Sequence, residues 1–156
     1  MDNTDYKILQ CLSKNARANS SEIAEKVKLS TSAVIERIKK LEAGGVIKGY
    51  TAILDPHKLN KDVTAMMSVA IDHPKFNDGF VQAVTGNHHI TECLYIAGEF
   101  DYLLKVITDN TKMLESVLNE IKSIPGVSKT KTNIVLSIPK NEYAVPLKAK
   151  KEKAAE

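Results

Sequence analysis

Ser32, Glu36 and Lys39 recur at steps of four and three residues, the spacing that lines side chains along one side of a helix. A hydroxyl, a carboxylate and an ammonium in such a row can exchange hydrogen bonds with the edges of nucleic-acid bases. Ile35, Arg37 and Lys40 flank the row, and Ser30 and Thr31 stand just before it. Ser30, Thr31, Arg37 and Lys40 suit phosphate oxygens better than base edges. Glu36 has two readings: it can accept from cytosine N4, or it can pair with Lys40 one turn on. Nothing comparable supports catalysis. His57, His73, His88 and His89 are the available acid–base groups, and none is accompanied by a nucleophile or a metal-ligand spacing. There is no Gly-rich phosphate loop, DxD or HExxH, so no enzymatic activity, cofactor or metal is expected.

A helix must hold that row outward, and its spine is legible. Val34, Ile38 and Leu41 form an apolar stripe, Ser30 is placed as N-cap for a helix starting at Thr31, and Gly44-Gly45 ends it. Asn19 to Val27 reads as a shorter helix, with Asn19 and Glu22 spaced as a capping box and Ile23, Ala24 and Val27 on its apolar side. Only Lys28-Leu29-Ser30 separates the two, a short joint with one apolar residue expected to be buried. That matches a helix-turn-helix whose second helix enters the major groove; the plain alternative is an αα-hairpin with a solvated charged face. Asp2 to Lys14, capped by Asp2 or Asn3, adds a first helix through Ile8, Leu9 and Leu12, so three helices can share a small core. After the glycines, VIKGYTAIL is expected to form a short β-ribbon or wing. It places Lys48 and Tyr50 at the sugar-phosphate backbone, or merely lids the helices.

The charge distribution agrees. Residues 1–50 carry nine Lys/Arg against six Asp/Glu, or +3, whereas residues 51–141 carry nine against ten, or −1. The last fifteen residues carry four against three, or +1. A basic N-terminal third suits phosphate contacts. Cys11 and Cys93 lie far apart without a metal spacing and are expected as reduced, mostly buried thiols. No apolar run approaches the roughly 20 residues of a membrane span, and the N-terminus lacks the features of a signal peptide, so a cytoplasmic protein without membrane partners is expected.

Beyond Asp55-Pro56 the periodicity changes. Val63 to Ile71 alternates strictly, Pro74 to Val84 is helical, Ile90 to Ala97 and Asp101 to Thr108 are extended, Leu114 to Ile124 carries a clean helical stripe, and Val127 to Ile138 is extended again. This strand-helix-strand-strand-helix-strand order folds into a four-stranded antiparallel sheet with both helices on one face, the ferredoxin-like arrangement. The other face is left with Met66, Leu103, Ile107, Ile134 and Leu136 as register allows, too much apolar surface to stay wet, which calls for a second copy. The expected fold class is therefore α+β: a (winged) helix-turn-helix domain over residues 1–54, a linker over 55–61 and a ferredoxin-like domain over 62–140. A basic flexible tail over 141–156 is assigned no site beyond a weak electrostatic contact with DNA.

Several stretches carry a family resemblance: DYKILQCLSKNAR, SEIAEKVKLSTSAVIERIKKLEAGGVIKGYTAIL, AGEFDYLLKV and IPGVSKTKTNIVLS. Together they resemble the Lrp/AsnC family, the leucine-responsive or feast/famine transcription regulators, over about Asp2 to Ile138. One departure is Thr31, where many relatives have Pro. The resemblance implies a sequence-specific regulator that binds double-stranded DNA and senses a small effector, usually an amino acid. It also implies a homodimer that assembles into tetramers or octamers. The DNA-binding residues it favours are Ser30, Thr31, Ser32, Ile35, Glu36, Arg37, Lys39, Lys40 and Lys48. The family's sensing cleft corresponds to Ala97–Asp101 and the strand after IPGV. There Gly98, Thr130 and Thr132 would serve an effector carboxylate, and Glu99 or Asp101 its ammonium. The plain readings are that Gly98 is a hairpin glycine and Asp101 a turn cap. The same scaffold also fits an architectural DNA-compacting protein without a specific effector.

Overall fold

Asp2 caps the first helix, α1 (Asn3–Lys14), in a complete capping box with Asp5. Asn19 caps α2 (Ser20–Val27) by accepting from the Glu22 N–H at 2.8 Å, and Ser30 caps α3 (Thr31–Ala43) by accepting from the Ala33 N–H at 3.2 Å. The Asn19 box is only half of the expected one, because the Glu22 carboxylate takes its hydrogen bond from the Asn19 side-chain amide. Lys28, left-handed at φ 57°, turns the chain between α2 and α3, and Gly45 at φ 69° turns it out of α3. Ile8, Leu9, Ile23, Ala24, Val34 and Leu41 form the core these helices share. Leu29 in the joint is 37% exposed rather than buried. Its backbone N–H closes the turn onto the Ala24 carbonyl while its side chain stays outside.

The computed structural model describes residues 1–147. They divide into two compact units. The first joins Met1–Ile53 to residues 140–147, and the second runs from Leu54 to Pro139. Residues 140–147 have no regular structure, but Leu147 packs against the three-helix core, and its carbonyl accepts from the Gln10 side chain. The segment expected to be a wholly flexible tail therefore contributes a core contact; its lysine-rich part, from residue 148, lies outside the described residues. No strand forms over residues 46–54, where a short ribbon was expected, because the described chain offers that segment no ladder partner. Tyr50, Ile53 and Leu54 stand at least half exposed there.

In the second unit β1 (Val63–Ile71), β2 (Ile90–Tyr95), β3 (Tyr102–Thr108) and β4 (Val127–Ile134) form an antiparallel sheet in the order β2-β3-β1-β4. Helices α4 (Asn77–Thr85) and α5 (Thr111–Lys122) cover one face. Phe80, Val84, Leu114, Val117 and Ile121 from the helices meet Ala65, Met67, Val69, Tyr102, Leu104 and Val106 from the two central strands. The pairing register decides the other face. Ser68 opposes Leu103, Thr64 opposes Ile107, and Leu94 opposes Leu103 from β2. Met66, Leu94, Leu103 and Ile107 thus share the face without helices, alongside a Lys105–Glu92 ion pair at 3.0 Å. Ile134 does not join them, since it opposes Ala65 on the helix-bearing side, and Leu136 lies beyond the last strand at 95% exposure. Cys93 is exposed rather than buried because β2 is an edge strand.

Candidate nucleic-acid interface

Helix α3 presents the expected row. Val34 is fully buried and Leu41 nearly so, which turns Ser32, Glu36 and Lys39 to the outside together with Thr31, Lys40 and a 41% exposed Ile35. At the start of the helix the Ser30 and Ser32 hydroxyls lie 3.1 Å apart, next to amide groups that a helix N-terminus directs outward. Glu36 has found its partner in Lys40 at 2.8 Å, a contact that holds its carboxyl below the usual range. Lys39 carries an exposed charge with no ion-pair partner among the described residues, and Lys48 is exposed beyond the helix. Tyr50, expected near the sugar-phosphate backbone, donates its hydroxyl to Glu42 at 2.9 Å and so ties the following segment to the end of α3. Burial, followed by that carboxylate, raises its phenol pKa.

Arg37 behaves differently from the expectation. Its Nη1 donates to Asp2 and Asp5 at 2.7 Å each, so the guanidinium is tied to the start of α1. The two carboxylates are partners of the helix that its periodicity could not reveal. Their signal was two acids three apart at a helix start, opposite an arginine on the flank of another helix.

The candidate effector residues are only partly brought together. Gly98 adopts φ 153°, with open space where a side chain would stand. Next to it Glu99 reaches across to Lys129 at 2.6 Å, which lowers the Glu99 pKa, and the Lys129 ammonium lies 5.2 Å from the centre of the Phe100 ring. Asp101 accepts from the Ile71 N–H at 2.7 Å, which ties the turn before β3 to the end of β1 rather than capping its own turn. Thr130 and Thr132 oppose Val69 and Met67, on the helix-bearing side of the sheet, whereas Lys129 opposes Ala70 on the other side. Within one chain, the threonine hydroxyls and Glu99 therefore face opposite ways. The Thr132 hydroxyl is buried without a hydrogen-bond partner among the described residues.

Two family models account for the chain: a winged helix-turn-helix DNA-binding domain over residues 1–48 and the Lrp/AsnC ligand binding domain over residues 64–145. The chain belongs to the Lrp/AsnC family. It is 32% identical over 153 residues to the leucine-responsive regulatory protein of Escherichia coli, spanning 96% of this chain and 93% of that protein. Among solved structures, a transcriptional regulator from Neisseria meningitidis in complex with L-Met superposes with a TM-score of 0.88 at 32% identity, covering 94% of this chain and 97% of the other. Escherichia coli AsnC gives 0.86 at 27% identity, covering 94% and 99%. This Lrp/AsnC member is a transcription regulator, not an enzyme, with a DNA-binding helix-turn-helix and a ligand-binding domain. Among the described residues no helix is long and apolar enough to cross a membrane.

Proposed function

We propose that the protein is a sequence-specific regulator that inserts α3 into the major groove of double-stranded DNA and responds to an amino acid. The observation that carries this is the exposed Ser32–Glu36–Lys39 row on a helix whose opposite side is buried through Val34 and Leu41. In this reading Ser32, Lys39 and Ile35 meet base edges, with Ile35 offering an apolar contact to a thymine methyl. Ser30, Thr31 and Lys48 meet phosphates, and Lys40 approaches them with Glu36 at its side. The apolar, helix-free face of the sheet, with Met66, Leu103 and Ile107, supports a homodimer and the larger assemblies built from it. An amino-acid effector is supported by the similarity to a regulator solved with L-Met. Gly98, Glu99, Thr130 and Thr132 remain its candidate contacts, the two sides of the sheet being supplied by different copies.

The test has two arms. Selection of duplexes from a randomised pool, followed by footprinting at moderate salt, should yield defined protected sites. Uniform coating with affinity falling steeply with ionic strength would instead mark a DNA-compacting protein. Calorimetry against the twenty amino acids should then give heat with at least one, and silence from all would remove the effector.

A further inference from the structure

Arg37 sits in the recognition helix, is basic, and is one-third exposed in its side chain, which on its face makes it a phosphate contact. Its surroundings argue otherwise. In the capping box of α1, one oxygen of each carboxylate is committed to backbone: Asp2 Oδ1 accepts from the Asp5 N–H and Asp5 Oδ2 accepts from the Asp2 N–H, both at 2.8 Å. The remaining oxygen of each, Asp2 Oδ2 and Asp5 Oδ1, receives a hydrogen bond from the same Arg37 nitrogen. Four charge-assisted or capping bonds thus interlock three side chains. The positive end of the α1 dipole favours both carboxylates in their ionised form. One cation against two anions leaves the group at −1, which repels an approaching phosphate. For Arg37 to turn to DNA, it would have to abandon two charge-assisted bonds and leave Asp5, 14% exposed in its side chain, without its counter-charge.

We propose that Arg37 is a positioning residue. Through the Asp2–Asp5 box it fastens the middle of α3 to the first turn of α1, and so sets how Ser32, Glu36 and Lys39 are presented to the groove. This rests on the DNA-binding reading of α3 above. The latch acts through another helix, so its effect on DNA must disappear once its carboxylate partners are gone.

The experiment compares Arg37→Gln, the pair Asp2→Ser with Asp5→Asn, and all three substitutions combined, in the full chain. Serine retains the N-cap of α1 while removing the carboxylate. Affinity for a duplex selected by the unmodified protein is read by fluorescence anisotropy across a salt series. A positioning role predicts that Arg37→Gln weakens binding about three- to tenfold with the salt slope unchanged. The Asp2/Asp5 pair should weaken it comparably despite removing two negative charges, and adding Arg37→Gln to that pair should cost less than about a further twofold. A phosphate contact predicts the reverse: a slope smaller by roughly 0.9 in Arg37→Gln, and tighter binding when the acids are removed. Either of those results overturns the proposal. Amide hydrogen exchange on the DNA-free protein supplies a second readout. Arg37→Gln and the Asp2/Asp5 pair should speed exchange in the first turn of α1 and around residue 37 by the same factor, and unchanged exchange would refute the latch. Failure of the pool to yield any duplex would refute the DNA reading while leaving this exchange test in force.

Discussion

Gly126, between α5 and β4, offers a prediction whose size follows from the coordinates. Its φ of 90° lies where an L side chain costs about 1–2 kcal/mol. A Cβ added there would fall on the Phe76 ring, 2.5 Å from Cδ2 and closer still to Cγ and Cβ. Relieving such overlap by shifting a ring or the backbone costs roughly 1–3 kcal/mol. Gly126→Ala should therefore destabilise the sheet-bearing unit by about 2–5 kcal/mol, a fall in melting temperature of roughly 10–30 °C for a unit of this size. The Gly126 carbonyl also accepts from the Asp72 N–H at 2.8 Å, so a shifted backbone would disturb the end of β1 as well. Urea unfolding followed by far-ultraviolet circular dichroism measures the loss. Repeating the substitution in a Phe76→Gly background, which removes the Cβ as well as the ring, separates the contributions. With the whole side chain absent only the backbone cost of about 1–2 kcal/mol should remain. A loss below about 1 kcal/mol, or an equal loss in both backgrounds, would refute the steric reasoning.

Lys39→Ala should weaken binding to a selected duplex about tenfold and blur its preference at one base pair, checked by gel shifts against single-base variants of the site. Met66→Asp combined with Leu103→Asp places two charges on the helix-free sheet face and should shift the protein to monomers, read by size exclusion with light scattering; an unchanged mass would move the interface elsewhere. The Asp2 carboxyl is held below its ordinary pKa, first by the Asp5 N–H and then by Arg37. Its contribution to stability is therefore complete above the ordinary carboxylate pKa and is lost as pH falls through the depressed folded value. Asp2→Ser should accordingly flatten the acid limb of a stability profile between about pH 5 and 2, lowering stability at neutral pH and converging with the unmodified protein at the acid end.

Features set by neighbouring residues were legible before the fold was known. Ser30 and Gly45 bracket α3 because caps act on amides and carbonyls one turn away. The alternation of β1 places Ala65, Met67 and Val69 inside because a strand has only two sides. What sequence spacing could not decide was pairing at a distance. Ile134 looked free to join the open face until its pairing with Ala65 fixed its side. The pairing of Arg37 with Asp2 and Asp5 could not be read from spacing because these acceptors lie 35 and 32 residues upstream. The stretch after Gly45 has strand-forming residues but forms no strand, since a ladder needs a second edge that periodicity cannot supply. The effector residues were chosen as a sequence set, and the pleat separates Thr130 and Thr132 from Lys129 and its partner Glu99.

The seat of Leu147 has a consequence for how this protein is made and cut. Synthesis proceeds from the N-terminus, so α1, α2 and α3 leave the ribosome long before the residue that completes their apolar contacts. Until the final stretch emerges, the three helices must hold together with one side chain missing. For the same reason a fragment stopping near residue 54 is an unfinished version of the unit, and a protease that clips the chain just before Leu147 would loosen helices encoded at the opposite end.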